Sequence, residues 1–419
     1  EGSVIEDTGL IKMDFLGLSN LTVIRDTLNN IEANGKERID HTKIPLDDRP
    51  TYDLLSRGDT LGVFQLDSDG MRSLLKTLKP NNFNDISALI ALYRPGPMDM
   101  DSHTNYAKRK NGLQKITPIH PELEEPLKQV LDETYGLIIY QEQVQSAARI
   151  LAGYSLGKAD VLRRAMGKKK PEVLAKEKVP FFAGMKEHGY SEEAAQAVWD
   201  ILVPFSGYAF NKAHAAAYAV VAYQTAYFKC HYTKEYMAAL LSSVLDSSDK
   251  VGEYFNECRE CGIKLLPPDV NHSADRFTVE PEGIRFGLVA IKNIGRGLIL
   301  RMMQERELNG PFVDFQDFCR RMDGMEINKR AVENLIRAGA FDSTGAKRSQ
   351  LIAVYEKVMD GIAEGNRTNV EGQIDFFGMG AETAQQAALP TSEKQRHLRP
   401  VTALCPNNKK GGPVLYRAS

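Results

Sequence analysis

Lys12 and Asp14 lie two positions apart in the string Ile11-Lys12-Met13-Asp14-Phe15. In a strand, alternation puts Ile11, Met13 and Phe15 on one face and Lys12 with Asp14 on the other. A cation beside a carboxylate suits phosphate-plus-metal chemistry: the ammonium holds a phosphate oxygen and the carboxylate a hard divalent ion. The same alternation also describes the solvated face of an ordinary edge strand. A second cluster, Arg163-Arg164-Ala165-Met166-Gly167-Lys168-Lys169-Lys170, carries five cations in eight residues. Charge runs are usually solvated surface or targeting patches, but arginine offers phosphate a forked set of donors and lysine a compact charge, and Gly167 lets the run curl round an anion. A third, Phe205 to Tyr218, holds Tyr208, Phe210 and His214, which can stack on a base or serve as core and helix-start residues. In a fourth, Ala290 to Gly297, Gly295 and Gly297 would let backbone N–H groups reach a DNA phosphate without reading sequence, with Lys292 and Arg296 adding charge. A fifth is Gln373-Ile374-Asp375-Phe376-Phe377, whose paired aromatics in a polar stretch need a partner to bury them. Asp99-Met100-Asp101 imitates a metal-binding D-x-D but follows the proline turn Tyr93 to Met98, so it reads as loop surface.

These clusters need a scaffold that is mainly α with small β elements. The chain has 419 residues, 42% hydrophobic and 26% charged, which suits two to four globular domains. A formal net charge of −2 announces no nucleic-acid partner but leaves room for a local basic channel. Five cysteines without a regular framework point to a reducing compartment, and the lone Cys258-x-x-Cys261 lacks the further ligands zinc would need. No apolar run is long enough for a membrane span and no signal-peptide pattern opens the chain, so a cytoplasmic protein is expected. The first residue is Glu1, and the chain reads as a piece of a longer polypeptide.

Helical spacing begins at Leu21, with Gly35 as a stop, and continues to about Pro267. Within it Gly62-Val63-Phe64-Gln65-Leu66 reads as a short strand, Tyr135 to Ser155 as an apolar entry into a helix carrying Gln141, Glu142 and Gln143, and Thr233 as a helix cap. After Leu266-Pro267-Pro268-Asp269 the segment from Arg276 to Ile291 reads as a hairpin turning at Pro281-Glu282-Gly283, followed by short helices with glycine turns. From Gly361 the chain is polar, Gln-rich and Gly-rich, and reads as linker or disorder. The expected domains are therefore 1–20, 21–265, 266–360 and 361–419.

The string from Gly9 to Ile24, GLIKMDFLGLSNLTVI, resembles the last palm strand of the bacterial C-family replicative DNA polymerases, the polymerase III α-subunit family. The likeness continues through GVFQLDSDGMR (Gly62 to Arg72), ALYRPGPM (Ala91 to Met98), YGLIIYQEQV (Tyr135 to Val144), the basic run and the segment from Tyr208 to Tyr218. It reaches about Phe377. The last of these departs from the family's wording at Ala209, where a glycine is usual, and at Ala213. The resemblance implies a palm remnant, a large helical fingers domain, a tandem helix-hairpin-helix domain and a disordered tail. It implies a DNA-directed DNA polymerase of the main replicative type, working on primer-template DNA and deoxynucleoside triphosphates with two magnesium ions. Asp14 would be a metal-binding palm carboxylate and Lys12 would lie near the triphosphate. Arg163, Arg164 and Lys168 would face the triphosphate, Tyr208, Phe210 and His214 would shape the nucleotide pocket, and Arg72 and Arg94 are further candidate contacts. Lys292, Gly295, Arg296 and Gly297 would grip DNA, with Ile327 to Asp342 as the partner unit. Gln373 to Phe377 resembles the peptide by which such polymerases hold the sliding clamp, and other replicase subunits are implied partners. The other two palm carboxylates are not in the sequence, so this chain alone is expected to be inactive. The rival reading is a non-catalytic DNA-binding and clamp-binding scaffold. Beyond about residue 389 the resemblance ends.

Overall fold

The computed structural model describes residues 8–10, 13, 17–167, 171–206, 208–245, 247–324 and 327–368, and these form two compact units. One runs from Asp40 to His231, and the other joins the chain before residue 40 to the chain after residue 231. The described residues are mainly helical, with one small sheet, as the periodicity predicts.

Helix α1 (Ser19–Ala33) belongs to the second unit and stops at Gly35, whose φ of +71° suits a residue without Cβ. The unit from Asp40 to His231 opens with α2 (Arg49–Arg57), capped by Asp48 accepting from Thr51 N and ended by Gly58 in the left-handed region. Then α3 (Asp69–Leu78) buries Met71, Leu74, Leu75 and Leu78, a stripe at helical spacing, and α4 (Phe83–Leu92) starts on an Asn82 cap. Between α2 and α3 the expected strand Gly62 to Leu66 is instead a run of turns. Gly62 and Gln65 both have positive φ, which no strand accommodates, and Val63 and Phe64 are buried side by side where a strand would alternate. The proline turn closes into the short α5 (Pro95–Asp99), and α6 (Ser102–Lys110) follows.

Next come α7 (Glu124–Leu131), α8 (Gln141–Ala152), α9 (Leu156–Gly167), α10 (Pro171–Glu187) and α11 (Glu192–Ser206). They enclose one core of Leu127, Val144, Leu151, Leu162, Met166, Phe181, Val198 and Leu202. The unit ends with α12 (Lys212–His231), whose buried Ala215, Ala219, Ala222 and Ala226 form a small-residue stripe. That stripe lets α12 pack closely on α4 and α2.

In the other unit α13 (Thr233–Ser243) packs on α1. Thr233, expected from sequence to be the cap, is its first helical residue, and the N-cap position is Tyr232, one residue earlier. The α14 helix (Ser248–Glu260) leads to a sheet of β1 (Leu265–Leu266), β2 (Thr278–Glu280) and β3 (Gly283–Arg285) in the order β1-β3-β2. β2 and β3 form the expected hairpin, with Val279 opposite Ile284 and Pro281-Glu282 at the turn, and β1 adds in parallel. Four short-range helices complete the unit: α15 (Arg296–Asn309), α16 (Phe315–Met322), α17 (Lys329–Ala338) and α18 (Arg348–Thr368). Phe312, Phe315, Phe318 and Phe341 meet edge-on at their centre. α18 runs through Gly361 to Thr368, so the first residues of the expected linker are helical.

Candidate functional site

Lys12, Asp14, Lys168 and the peptide Gln373, Ile374, Asp375, Phe376 and Phe377 lie outside the described residues. The remaining candidates fall in two places, one in each unit.

In the unit from Asp40 to His231, the organising element is the start of α8. Tyr140 and Phe210 form an isolated parallel bridge. Gln141 N donates to Phe210 O and Phe210 N donates to Ile139 O, both at 2.9 Å. The side chains that follow extend this seam. Gln141 Nε2 donates to Ala209 O (3.2 Å), while Glu142 accepts from Asn211 Nδ2 and from Lys212 N (both 2.9 Å). A carboxylate thus sits on the first turn of α12, where the helix dipole favours negative charge. Gln143 is buried and satisfies its own helix entry: Oε1 accepts from Ile139 N and Tyr140 N, and Nε2 donates to Val130 O and Thr134 Oγ1. One turn on, Gln145 Nε2 donates to Asp160 Oδ1 at 3.0 Å.

Asp160 in turn holds both candidate arginines. Arg163 donates Nε (3.1 Å) and an η nitrogen (3.0 Å) to Oδ1, and Arg164 pairs with Oδ2 at 2.7 Å. These bonds, Arg163's foremost, hold the Asp160 carboxyl below the usual aspartate range. Arg163 is mostly covered and Arg164 mostly exposed.

The aromatic candidates form a ladder. The Arg94 guanidinium lies 4.3 Å from the Phe210 ring centroid, Phe210 meets His214 at 5.4 Å, His214 meets Tyr218 at 4.2 Å, and Tyr218 meets Phe64 at 5.3 Å. His214 and Tyr208 are exposed and Phe210 half-buried, so these rings present a surface and are not core. His214 N also donates to Asn211 Oδ1 (2.8 Å), the helix-start role open from sequence. Arg94 donates to Tyr208 O at 2.7 Å, and the Tyr208 ring covers Gly96, where a Cβ would lie 2.1 Å from Cδ1. Ala209 has no positive φ, so the departure from glycine there carries no backbone strain. Arg72, the other arginine candidate, donates to Gly58 O at the end of α2. The D-x-D at Asp99 and Asp101 is exposed as expected, though it joins two helices, with Asp99 ending α5 and Asp101 at the N-cap position of α6.

In the other unit, Gly295 is the N-cap of α15 and Gly297 lies in its first turn. A Cβ on either would meet no atom within 4 Å, so the approach to these backbone N–H groups is open. Arg296 pairs with Asp275 (2.9 Å) and stays largely exposed, and Lys292 sits half-buried in the turn just before. The partner segment forms α17, capped by Asn328 accepting from Ala331 N and ended by Gly339 at φ +87°. No group of three or more His, Cys, Asp or Glu among the described residues is placed to hold a metal ion.

Residues 20–189 match the family model of the bacterial DNA polymerase III alpha subunit finger domain, and residues 262–351 match a helix-hairpin-helix motif. A relative from Saccharopolyspora erythraea, named DNA polymerase III subunit alpha, is 51% identical over 93% of this chain and 33% of its own length. Relatives of the same name from Mycobacterium tuberculosis (52% identical, 89% of this chain, 32% of the relative) and Escherichia coli K12 (43%, 92% and 34%) agree. The chain belongs to the bacterial DNA polymerase III alpha subunit family. It spans about a third of the length of the curated relatives it matches. On the alpha-subunit frame, the finger match takes in α1 to α10 and the helix-hairpin-helix match runs from β1 into α18. The segment from Tyr208 to Tyr218 follows the finger match, yet it is bonded to α8 inside it.

Sequence reasoning missed two participants. Asp160 stands three and four residues before Arg163 and Arg164, a spacing that can pair them along one helix, but no spacing rule joins Gln145 to the run. Only the packing of α9 against α8 does.

Proposed function

We propose that the full-length protein is a DNA-directed DNA polymerase, the catalytic alpha subunit of the bacterial replicative polymerase III, working in the cytoplasm. It adds deoxynucleotides to a primer 3′ end, and this chain supplies the fingers and the helix-hairpin-helix DNA grip. One observation carries the reading: the start of α8 ties the arginine pair and the aromatic ladder into one body. A forked cation pair suits a triphosphate and an exposed aromatic face suits a base, so one rigid element would orient both ends of a nucleotide.

Two magnesium ions would align the primer hydroxyl with the α-phosphate. Asp14, with Lys12, and palm carboxylates of the full-length protein would hold them. The part played by the described residues is to bind and orient. Arg163 and Arg164, with Lys168, would hold phosphate oxygens. Tyr208, Phe210 and His214 would wall the base and sugar. In the other unit the open first turn of α15, with Lys292 and Arg296, would take a DNA phosphate. The peptide Gln373 to Phe377 would hold the sliding clamp, and the remaining replicase subunits would assemble on the full-length protein.

The test is steady-state primer extension by a full-length alpha subunit carrying Arg163→Ala or Arg164→Ala. A charged hydrogen bond contributes about 1.5–3 kcal/mol, so each variant should raise the deoxynucleotide KM roughly tenfold or more. Unchanged KM in both would remove the arginine pair from the nucleotide site, and no primer extension by the parent would leave the non-catalytic scaffold as the better description.

A further inference from the structure

Consecutive residues on a helix point about 100° apart, so two neighbouring arginines do not by themselves converge on one ligand. Arg163 and Arg164 nevertheless share a partner. Asp160 stands three residues before one and four before the other, the two spacings that reach across a helical turn. Its two oxygens are divided between them: Oδ1 takes Arg163 and Oδ2 takes Arg164. The carboxylate is itself tied to a second helix by Gln145 Nε2 on Oδ1. An exposed ion pair within one helix ordinarily contributes little, because both side chains must be ordered against their entropy. Here the anion is anchored from outside, so that entropy is already spent before a ligand arrives.

Resting on the nucleotide-binding reading above, we infer that Asp160, anchored by Gln145, is a positioning residue that gathers Arg163 and Arg164 into one forked site for the triphosphate. A guanidinium has more donors than Arg163 and Arg164 give to Asp160, so both can keep this carboxylate and still grip phosphate oxygens. The carboxylate offsets one of the two positive charges, leaving a net cation to draw a polyphosphate in. Its role is geometric: it sets where the two forks meet, and a neutral amide in its place would release both.

The experiment is single-nucleotide incorporation by a full-length alpha subunit bearing Asp160→Asn, Asp160→Glu, Gln145→Leu, Arg163→Ala or Arg164→Ala. Asp160→Asn should raise the deoxynucleotide KM roughly tenfold with kcat at saturation changed less than about twofold, because the pair re-forms once nucleotide is forced on. Asp160→Glu, which keeps the charge within reach of both arginines, should restore KM to within about threefold of the parent. Gln145→Leu keeps the carboxylate but frees it, and should raise KM several-fold. It also serves where Asp160→Asn fails to fold, as judged by the melting curve. If the arginine variants raise KM while Asp160→Asn and Gln145→Leu do not, or while Asp160→Asn lowers it, the positioning role is overturned and nucleotide binding stands. If the arginine variants leave KM unchanged, the nucleotide reading falls and this inference with it.

Discussion

At the residue scale, the contact between Gly96 and Tyr208 shows how a proline turn can matter to a site it does not belong to. In sequence, Tyr93 to Met98 reads as a rigid corner. In the structure Arg94 holds the Tyr208 carbonyl and stacks on Phe210, while Gly96 leaves the space that the Tyr208 ring fills. Gly96→Ala would push that ring outward, since a Cβ 2.1 Å from Cδ1 cannot coexist with it. Tyr208 is at the surface and its ring can swing into solvent, so the melting free energy should fall by less than about 1 kcal/mol. The deoxynucleotide KM should rise several-fold all the same, because Tyr208 and Phe210 lie together in the pocket proposed for the base. A double-mutant cycle with Tyr208→Ala checks the cause: once the ring is gone, Gly96→Ala should add little. Two independent, additive effects would show that Gly96 acts elsewhere.

At the element scale, α8 is the joint of its unit, and its sequence shows where residue-level reading stops. The caps were only partly legible: Thr233, read as one, falls inside its helix, while Asp48, Ser68, Asn82 and Asn328, each before an apolar helical stripe, accept a backbone N–H. The small hairpin was legible, because Pro281-Glu282-Gly283 punctuates it. What could not be read was that Gln141 and Glu142 spend their polar groups on the segment from Ala209 to Lys212 and Gln145 on Asp160, since those bonds form only after distant helices pack. Gly62 to Leu66 misled for the opposite reason, because its apolar residues are buried by turns and not by alternation. Glu142→Ala should cost about 1–2 kcal/mol of stability, the magnitude of a lost cap on α12, read by chemical denaturation. In the other unit Glu235 does a comparable job. Burial raises its pKa, but hydrogen bonds from Lys36 and Asn34 outweigh this and leave it below the ordinary 4.5. A carboxyl depressed in the folded state adds stability that is complete above its unfolded pKa and lost as pH falls through the folded one. Glu235→Gln should therefore cost about 1–2 kcal/mol at pH 7, with the gap from the parent closing as pH falls below about 4.5. A gap that stays constant with pH would mean that shape, not charge, is what the site needs.

At the scale of the whole molecule, the chain divides its proposed work between two compact units and the peptide Gln373 to Phe377. Each activity should therefore be removable alone. Gly297 gives a test whose sign separates function from fold. It lies in the first turn of α15 with no positive φ and open space where a Cβ would go. Alanine is the better helix former, so Gly297→Ala should leave stability unchanged or raise it by up to about 1 kcal/mol. The added methyl would nevertheless stand where a DNA phosphate must approach the backbone, so duplex affinity should fall several-fold. Lys292→Ala should weaken binding evenly across sequences and reduce the slope of log affinity against log salt by about one, as for one lost phosphate contact. Neither change should touch clamp capture. Phe376→Ala with Phe377→Ala should do the reverse, abolishing pull-down by the sliding clamp while DNA affinity and its salt slope stay as they were. Fluorescence anisotropy on duplex DNA and a clamp pull-down, run on the same set of variants, decide the matter. Loss of both activities from either variant would mean that DNA and clamp are held by one coupled surface and not by two separable ones.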